Sequence, residues 1–273
     1  MTPGDGSASQ AAAAWRRAGA ARARAVRADE AAERHERWAA DSSRELHQEL
    51  ADALRASAGC HRSSARLQEA FAQRVEGWTK EHGARPQFMT GVAEACGTNS
   101  VALTLVGADQ SQLAVAASNP AARAAQDLEF MLGEGPTKDA TRDNGLVFAT
   151  SETAEERWPC YGPALAALGI REVAAIPLES TARCFGALAV FDPRPGLIGT
   201  SAFLEIVAGL AHTVLLGPEL YGGTDHRDVV QQAAGMVSVQ ADCRVNDALA
   251  LIKARAFSRG ESVGGACFED RVR

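Results

Sequence analysis

The sequence predicts an α+β protein in three parts, and three observations carry that expectation. Residues from Gln10 to Lys80 contain no proline and are dominated by alanine, arginine and glutamate, a composition that favours helix. From Gly83-Ala84-Arg85-Pro86 onward, short extended segments alternate with helical ones, as in a mixed sheet-and-helix domain. Beyond residues 217–224, which hold one proline and three glycines, the chain is helical again. The boundaries that follow are a disordered N-terminus over 1–9, a helical or coiled-coil segment over 10–84, an α/β domain over 85–217, a linker over 218–225 and a helical domain over 226–273.

In the first part a heptad can be drawn with Leu46, Ala53, Cys60 and Leu67 at one core position and Leu50, Phe71 and Trp78 at the other. That seam predicts one or two long helices and a homodimer joined through Leu46, Leu50, Leu67 and Phe71. The run Arg16, Arg17, Arg22, Arg24 and Arg27 is followed by Asp29, Glu30 and Glu33, which suits a solvated helix face.

In the second part, Ser100 to Val106 and Gln112 to Ala117 read as strands around the turn Gly107-Ala108-Asp109. Pro120 to Leu132 reads as a helix with proline at its first position. Gly145 to Thr150, Glu172 to Leu178 and the apolar Cys184 to Phe191 read as further strands. Thr200 to Leu216 is a helix with Phe203, Ile206, Val207, Leu210 and Val214 at helical spacing. The last part offers helices over His226 to Gln240 and Val245 to Phe257, and a weaker third over Ser262 to Val272 that contains Gly264 and Gly265.

Composition narrows the function. The net charge of −6 is unevenly spread and the acidity is central: residues 85–225 carry 8 basic and 16 acidic side chains, a poor surface for a phosphate backbone. Nucleic acid contact falls to the ends of the chain. Residues 1–15 lack the basic start and apolar run of a secretory signal, and the best apolar stretch, Ile206 to Leu216, is too short for a bilayer and carries His212. A soluble, cytoplasmic protein is expected. Six dispersed cysteines form no CxxC pair, so neither a metal site nor a disulfide framework is expected. The 85–225 region offers a lone histidine, His212, too little for a hydrolase triad. Gly133-Glu134-Gly135-Pro136 lacks the lysine and hydroxyl of a P-loop and reads as a turn, with Glu134 and Glu155-Glu156 as solvated carboxylates. No catalytic constellation and no cofactor is expected.

Four phrases of the middle region carry a resemblance: Leu128-Glu129-Phe130-Met131-Leu132-Gly133-Glu134-Gly135-Pro136, Arg157-Trp158-Pro159, Val173-Ala174-Ala175-Ile176-Pro177-Leu178 and Gly186-Ala187-Leu188-Ala189-Val190. In order and spacing, residues 87–216 resemble a GAF domain. The resemblance implies a central antiparallel sheet with helices on its faces, and either a small-molecule pocket or a dimerisation role. Phe130, Trp158, Tyr161 and Phe185 are the expected pocket residues for an unknown small-molecule ligand. The tail, through Gln232-Ala233-Ala234-Gly235-Met236-Val237 and Asp247-Ala248-Leu249-Ala250-Leu251-Ile252, resembles an ANTAR domain, a three-helix RNA-binding module of transcription antitermination. Ala234 and Gln240 stand where that pattern commonly has basic residues. The candidate contacts to RNA stem-loops are Arg227, Lys253, Arg255, Arg259, Arg271 and Arg273.

The expected function is therefore a non-catalytic, signal-responsive antitermination regulator. The alternative is a sensing or dimerisation adaptor whose tail no longer binds RNA. A thiol-based activity at Cys160 and Cys184 is the least favoured reading, since no lysine or histidine beside them in sequence would activate a thiolate.

Overall fold

The alanine-rich N-terminal stretch folds as two long helices, and the rest of the chain supplies a sheet and shorter helices. The computed structural model describes residues 3–42, 45–78, 86–180, 183–216, 224–259 and 263. In chain order the elements are α1 (Pro3–Ser42), α2 (Glu45–Glu76), α3 (Phe88–Ala95), β1 (Val101–Val106), β2 (Gln112–Ala117), α4 (Pro120–Leu132), α5 (Pro136–Asp143), β3 (Val147–Thr150), α6 (Ser151–Arg157), α7 (Tyr161–Ala167), β4 (Glu172–Glu179), β5 (Cys184–Phe191), α8 (Ser201–Leu216), β6 (Thr224–His226), α9 (Asp228–Gln240) and α10 (Val245–Arg259). The protein is α+β. It divides into two units, Met1–Gly97 with Arg194–Gly222 and Thr98–Pro193 with Gly223–Arg273.

In the first unit, α1 and α2 pair with each other as an antiparallel hairpin within one chain. Trp15, Arg22, Asp29 and Glu36, one per heptad, face Glu76, Glu69, Arg62 and Arg55 in reverse order, at 2.7, 2.5, 2.6 and 3.1 Å. Between these polar pairs runs a seam of buried alanines: Ala11, Ala14, Ala18, Ala21, Ala25 and Ala32 on α1, and Ala51, Ala58, Ala65 and Ala72 on α2. Side chains this small let two helices approach toward the lower end of the usual ~8–10 Å axial separation. The heptad drawn from the larger apolar residues is thus corrected in phase. Ala53 is exposed, Leu46 and Leu50 lie 60% and 39% exposed, and Leu67 and Phe71 are buried inside the unit. The reason is that alanine counts as helix former and as core at once, and a pattern weighted toward leucine passes over it. Within the stretch expected to be disordered over 1–9, the residues from Pro3 onward are corrected to helix, since α1 begins there.

Helix α3 joins this unit through an edge-to-face contact of Phe88 with Phe71, centroids 5.8 Å apart, and an ion pair between Glu94 and Arg74. Helix α8 crosses α2 at a patch of small residues. A Cβ on Gly209 would lie 2.7 Å from the Ser63 Cβ, so only glycine permits this approach. Thr213 Oγ1 donates to the Gly209 carbonyl at 2.8 Å, which leaves Ser64 to donate to Thr213 across the interface at 2.8 Å.

The second unit is built on an antiparallel sheet of order β3-β4-β5-β1-β2-β6. β1 and β5 pair from Val101↔Val190 to Leu105↔Gly186, and β4 and β5 pair from Val173↔Phe191 onward. Gly186 is required there, because a Cβ would collide with the Thr104 carbonyl. Strand parity puts Ala102, Val173, Ala175, Ala187, Ala189 and Phe191 on one face, where they meet Ala122, Ala125, Ala140, Tyr161 and Leu165 from α4, α5 and α7, and Trp158 at the end of α6. Helix α4 starts as the sequence suggests: Asn119 Oδ1 accepts from Ala122 N at 2.8 Å, Pro120 follows, and Gly133 ends the helix at φ 73°. Helices α5, α6 and α7 were not expected from the sequence.

The tail helices α9 and α10 belong to this unit. Val230, Ala234, Ala248, Ile252 and Ala256 form a core with Val263, and Phe130 of α4 completes that core. Val263 is helical, but the rest of the third helix expected over Ser262 to Val272 lies outside the described residues, as do Arg271, Arg273 and most of the expected linker.

The alanine seam carries a measurable cost. Ala58→Leu, at a site with no exposed surface, is expected to destabilise the protein by about 1–3 kcal/mol through overpacking, whereas Leu46→Ala should change stability by no more than about 0.5 kcal/mol. Urea denaturation of both variants checks this, and the reverse ranking would put the seam where the leucine heptad drew it.

Candidate functional site

The site is assembled around the C-terminal half of α4. Its residues come from a phrase in which two glutamates do structural work on helices farther along the chain. Helix α5 opens on Gly135, which has no side chain to cap it. Glu129 Oε1 supplies the cap, accepting from Lys138 N at 2.7 Å. Gly135 at φ 151° leaves the room, since a Cβ there would lie 2.6 Å from the Glu129 Cγ. Glu134 does the same for α7, its Oε1 accepting from Cys160 N at 2.6 Å and Tyr161 N at 2.9 Å. The expectation of Glu134 as a solvated carboxylate is corrected accordingly. These caps explain how the two short helices α5 and α7 persist where helical periodicity is weak, while α6 is capped locally by Thr150 and Thr153.

Glu129 is buried in a polar chain. Gln126 Nε2 donates to Glu129 Oε2 at 3.2 Å, and Gln126 Oε1 accepts from Thr104 of β1 and, at 3.5 Å, from Thr137. Burial outweighs these hydrogen bonds and raises the Glu129 carboxyl from the ordinary 4.5 to about 7. Beside it, Asp127 accepts from Arg227 Nη2 at 2.6 Å, and Arg227 Nε donates to Gln112 Oε1 at 3.0 Å. The Arg227 guanidinium lies 4.6 Å from the Phe130 ring centroid, and Lys253 Nζ lies 3.9 Å from the same centroid. One aromatic ring of α4 thus receives a cation from the start of the tail and another from α10. Burial, aided by Lys138 and Arg227, lowers Lys253 to about 8.

Between β1, β2, the α4–α5 turn and the tail helices is a cavity of about 150 Å³. Its wall includes Thr104, Val106, Glu129, Phe130, Thr137, Lys138, Gln231, Leu249 and Lys253. Of the four expected pocket residues, Phe130 alone lines it. Trp158 and Tyr161 are corrected to core positions: Trp158 Nε1 and Arg157 Nε both donate to Asp139 Oδ2, at 3.1 and 2.8 Å, which ties the end of α6 to α5. Phe185 shares a sheet face with Ala187 by alternation but does not reach the cavity wall.

Of the expected RNA contacts, Arg255 and Arg259 are exposed on α10. Arg227 is corrected: it is 1% exposed and committed to Asp127, Gln112 and Phe130, so it cannot meet a phosphate in this arrangement. Lys253 is half-buried and faces the cavity. Ala234 is fully buried in the tail core, so a basic residue there would be buried too. The sequence missed Asp127, Glu129, Gln126 and Thr104. The available signal was polarity out of place: Thr104 inside an apolar strand, and two carboxylates two residues apart on a helix otherwise facing the core.

Among the described residues no group of His, Cys, Asp or Glu could hold a metal, and no helix is long and apolar enough to cross a membrane. Cys96 is pushed up to about 12 by burial, and burial raises Cys60 as well; neither is an activated thiol.

Residues 42–216 match the GAF domain, and the chain belongs to that family. A GAF domain suggests a ligand-sensing or signalling role, and the family match supplies that here. The match begins just before α2, so the second hairpin helix falls within it. Comparison with curated proteins and with solved structures gives no match.

The buried carboxyl sets a pH dependence. Because the Glu129 pKa is raised on folding, the folded state holds more protons than the unfolded between about pH 4.5 and 7. Stability is full below that window and falls as pH rises through it, by about 3 kcal/mol in total. Urea unfolding at pH 5 and pH 8 should show this loss in the protein and a flatter profile in Glu129→Gln; equal slopes would refute the assignment.

Proposed function

We propose that the protein is a non-catalytic regulator that binds RNA stem-loops through its tail, in the manner of an antitermination factor, under control of the GAF domain. The observation that carries the control step is the clasp of Phe130 by Arg227 and Lys253, two of the candidate phosphate-binding residues. While the clasp is closed, the described tail presents Arg244, Arg255 and Arg259 at its surface. Opening it adds Arg227 and Lys253. Each phosphate neutralised adds about 0.7 to the salt slope on a single strand, so release of two further cations would steepen that slope by about 1.4. The resemblance of the tail to an ANTAR domain supports RNA stem-loops as the partner. A homodimer would present two such tails to one RNA, the second contact becoming intramolecular.

The adaptor reading is favoured by one observation, that Arg227 is buried and paired. The two readings part on a single variant. Asp127→Ala leaves a buried guanidinium without its carboxylate, a loss of about 3–5 kcal/mol for such pairs, and opens the clasp. Filter binding of the whole protein to a paired stem-loop RNA should then tighten several-fold, Arg255→Ala should weaken it, and both effects should shrink as salt rises. No binding by either the parent or Asp127→Ala at about 50 mM salt would sink the RNA reading and leave the adaptor.

A further inference from the structure

The charged groups around the cavity are accounted for, with one exception. Glu129 is held by Lys138 N and Gln126, the Lys138 ammonium donates to the Gly133 carbonyl at 2.5 Å, and Arg227 is bound to Asp127 and Gln112. Lys253 has the face of Phe130 and, among the described residues, no hydrogen-bond or ion-pair partner. It is half-buried, it lines the cavity, and the charges of Lys138 and Arg227 that act on it are positive. An ammonium in that position is stabilised by an anion.

The rest of the wall narrows the anion. Val106, Phe130 and Leu249 give the cavity an apolar side, while Thr137 and Gln231 offer neutral hydrogen-bonding groups. A single lysine without a partner matches one negative charge, and the Glu129 carboxyl nearby disfavours a second. The volume of about 150 Å³ is that of a cavity able to take benzene, so the occupant has on the order of six to eight non-hydrogen atoms.

We propose that the cavity binds a small organic monocarboxylate, with the carboxylate on Lys253 Nζ and the apolar end against Phe130, Val106 and Leu249. Lys253, Leu249 and Gln231 belong to the tail, whereas Val106, Thr137 and Lys138 belong to the GAF domain. A ligand that touches both favours the closed clasp, so carboxylate and RNA oppose each other through one equilibrium. That last step rests on the RNA reading; the binding site does not.

The test is calorimetry on the full chain with sodium isovalerate and sodium butyrate, with isovaleramide and inorganic phosphate as comparisons. The carboxylates should bind at about millimolar affinity or tighter, and the neutral amide at least tenfold more weakly. Lys253→Met should weaken isovalerate at least tenfold, while Lys138→Met, whose ammonium already serves Gly133, should change it less than threefold. A measurement that needs no variant accompanies these: affinity should fall as pH rises past about 8, where Lys253 loses its charge. No binding of either carboxylate, tighter binding of phosphate, or isovalerate binding indifferent to Lys253→Met and to pH would overturn the proposal. Carboxylate binding that leaves RNA affinity unchanged would keep the site and remove the control step, so the two readings fail separately.

Discussion

The described tail takes its position from one buried cation. Arg227 is 1% exposed, and a guanidinium out of water is tolerated only with its charge matched and its hydrogen bonds made. Asp127 matches the charge, Gln112 takes a hydrogen bond, and the Phe130 ring covers the face of the guanidinium. All three partners lie on β2 or α4, so wherever Arg227 is satisfied, the first turn of α9 is fixed against them. Such a pair adds little net stability compared with apolar residues of the same volume. What it adds is position, since a shifted tail would strand a charge.

The same α4 residues that receive the tail also shape the cavity, and this is why the site and the docking surface cannot be separated. Phe130 is part of the tail core on one side and of the cavity wall on another. Glu129 caps α5 from the cavity wall, and Glu134, just past the end of α4, caps α7. A change in the α4–α5 turn therefore reaches two helices and the tail through direct contacts.

Much of this fold was legible in the sequence. The strands β2 and β5 and the helix α4 fall at the expected residues, because short continuous apolar runs and a proline-to-glycine helix frame are strong local signals. The hairpin seam was not, because alanine in a helix announces propensity rather than burial, and its heptad shows up only in the partner spacing. Helices α5 and α7 were missed since their N-terminal caps come from outside the helices, Glu129 for α5 and Glu134 for α7, and α6 because seven residues are too few for a helical period to show. Phe130 was legible as a pocket residue, but Trp158 and Tyr161 were drawn into the core by Asp139 and the α4–α7 packing, which no spacing rule contains. Arg227 looked like a surface arginine because sequence gives no account of where Asp127 will stand.

The central claim is that α9 and α10 are held on the GAF domain through Phe130, and amide hydrogen exchange tests it most directly. In the parent protein the amides of Val230 to Val237 and Ala248 to Ala256 should be protected, and Phe130→Ala should speed their exchange while leaving β1 and β5 as they were. Tail amides that exchange at the same rate in both proteins would contradict the account.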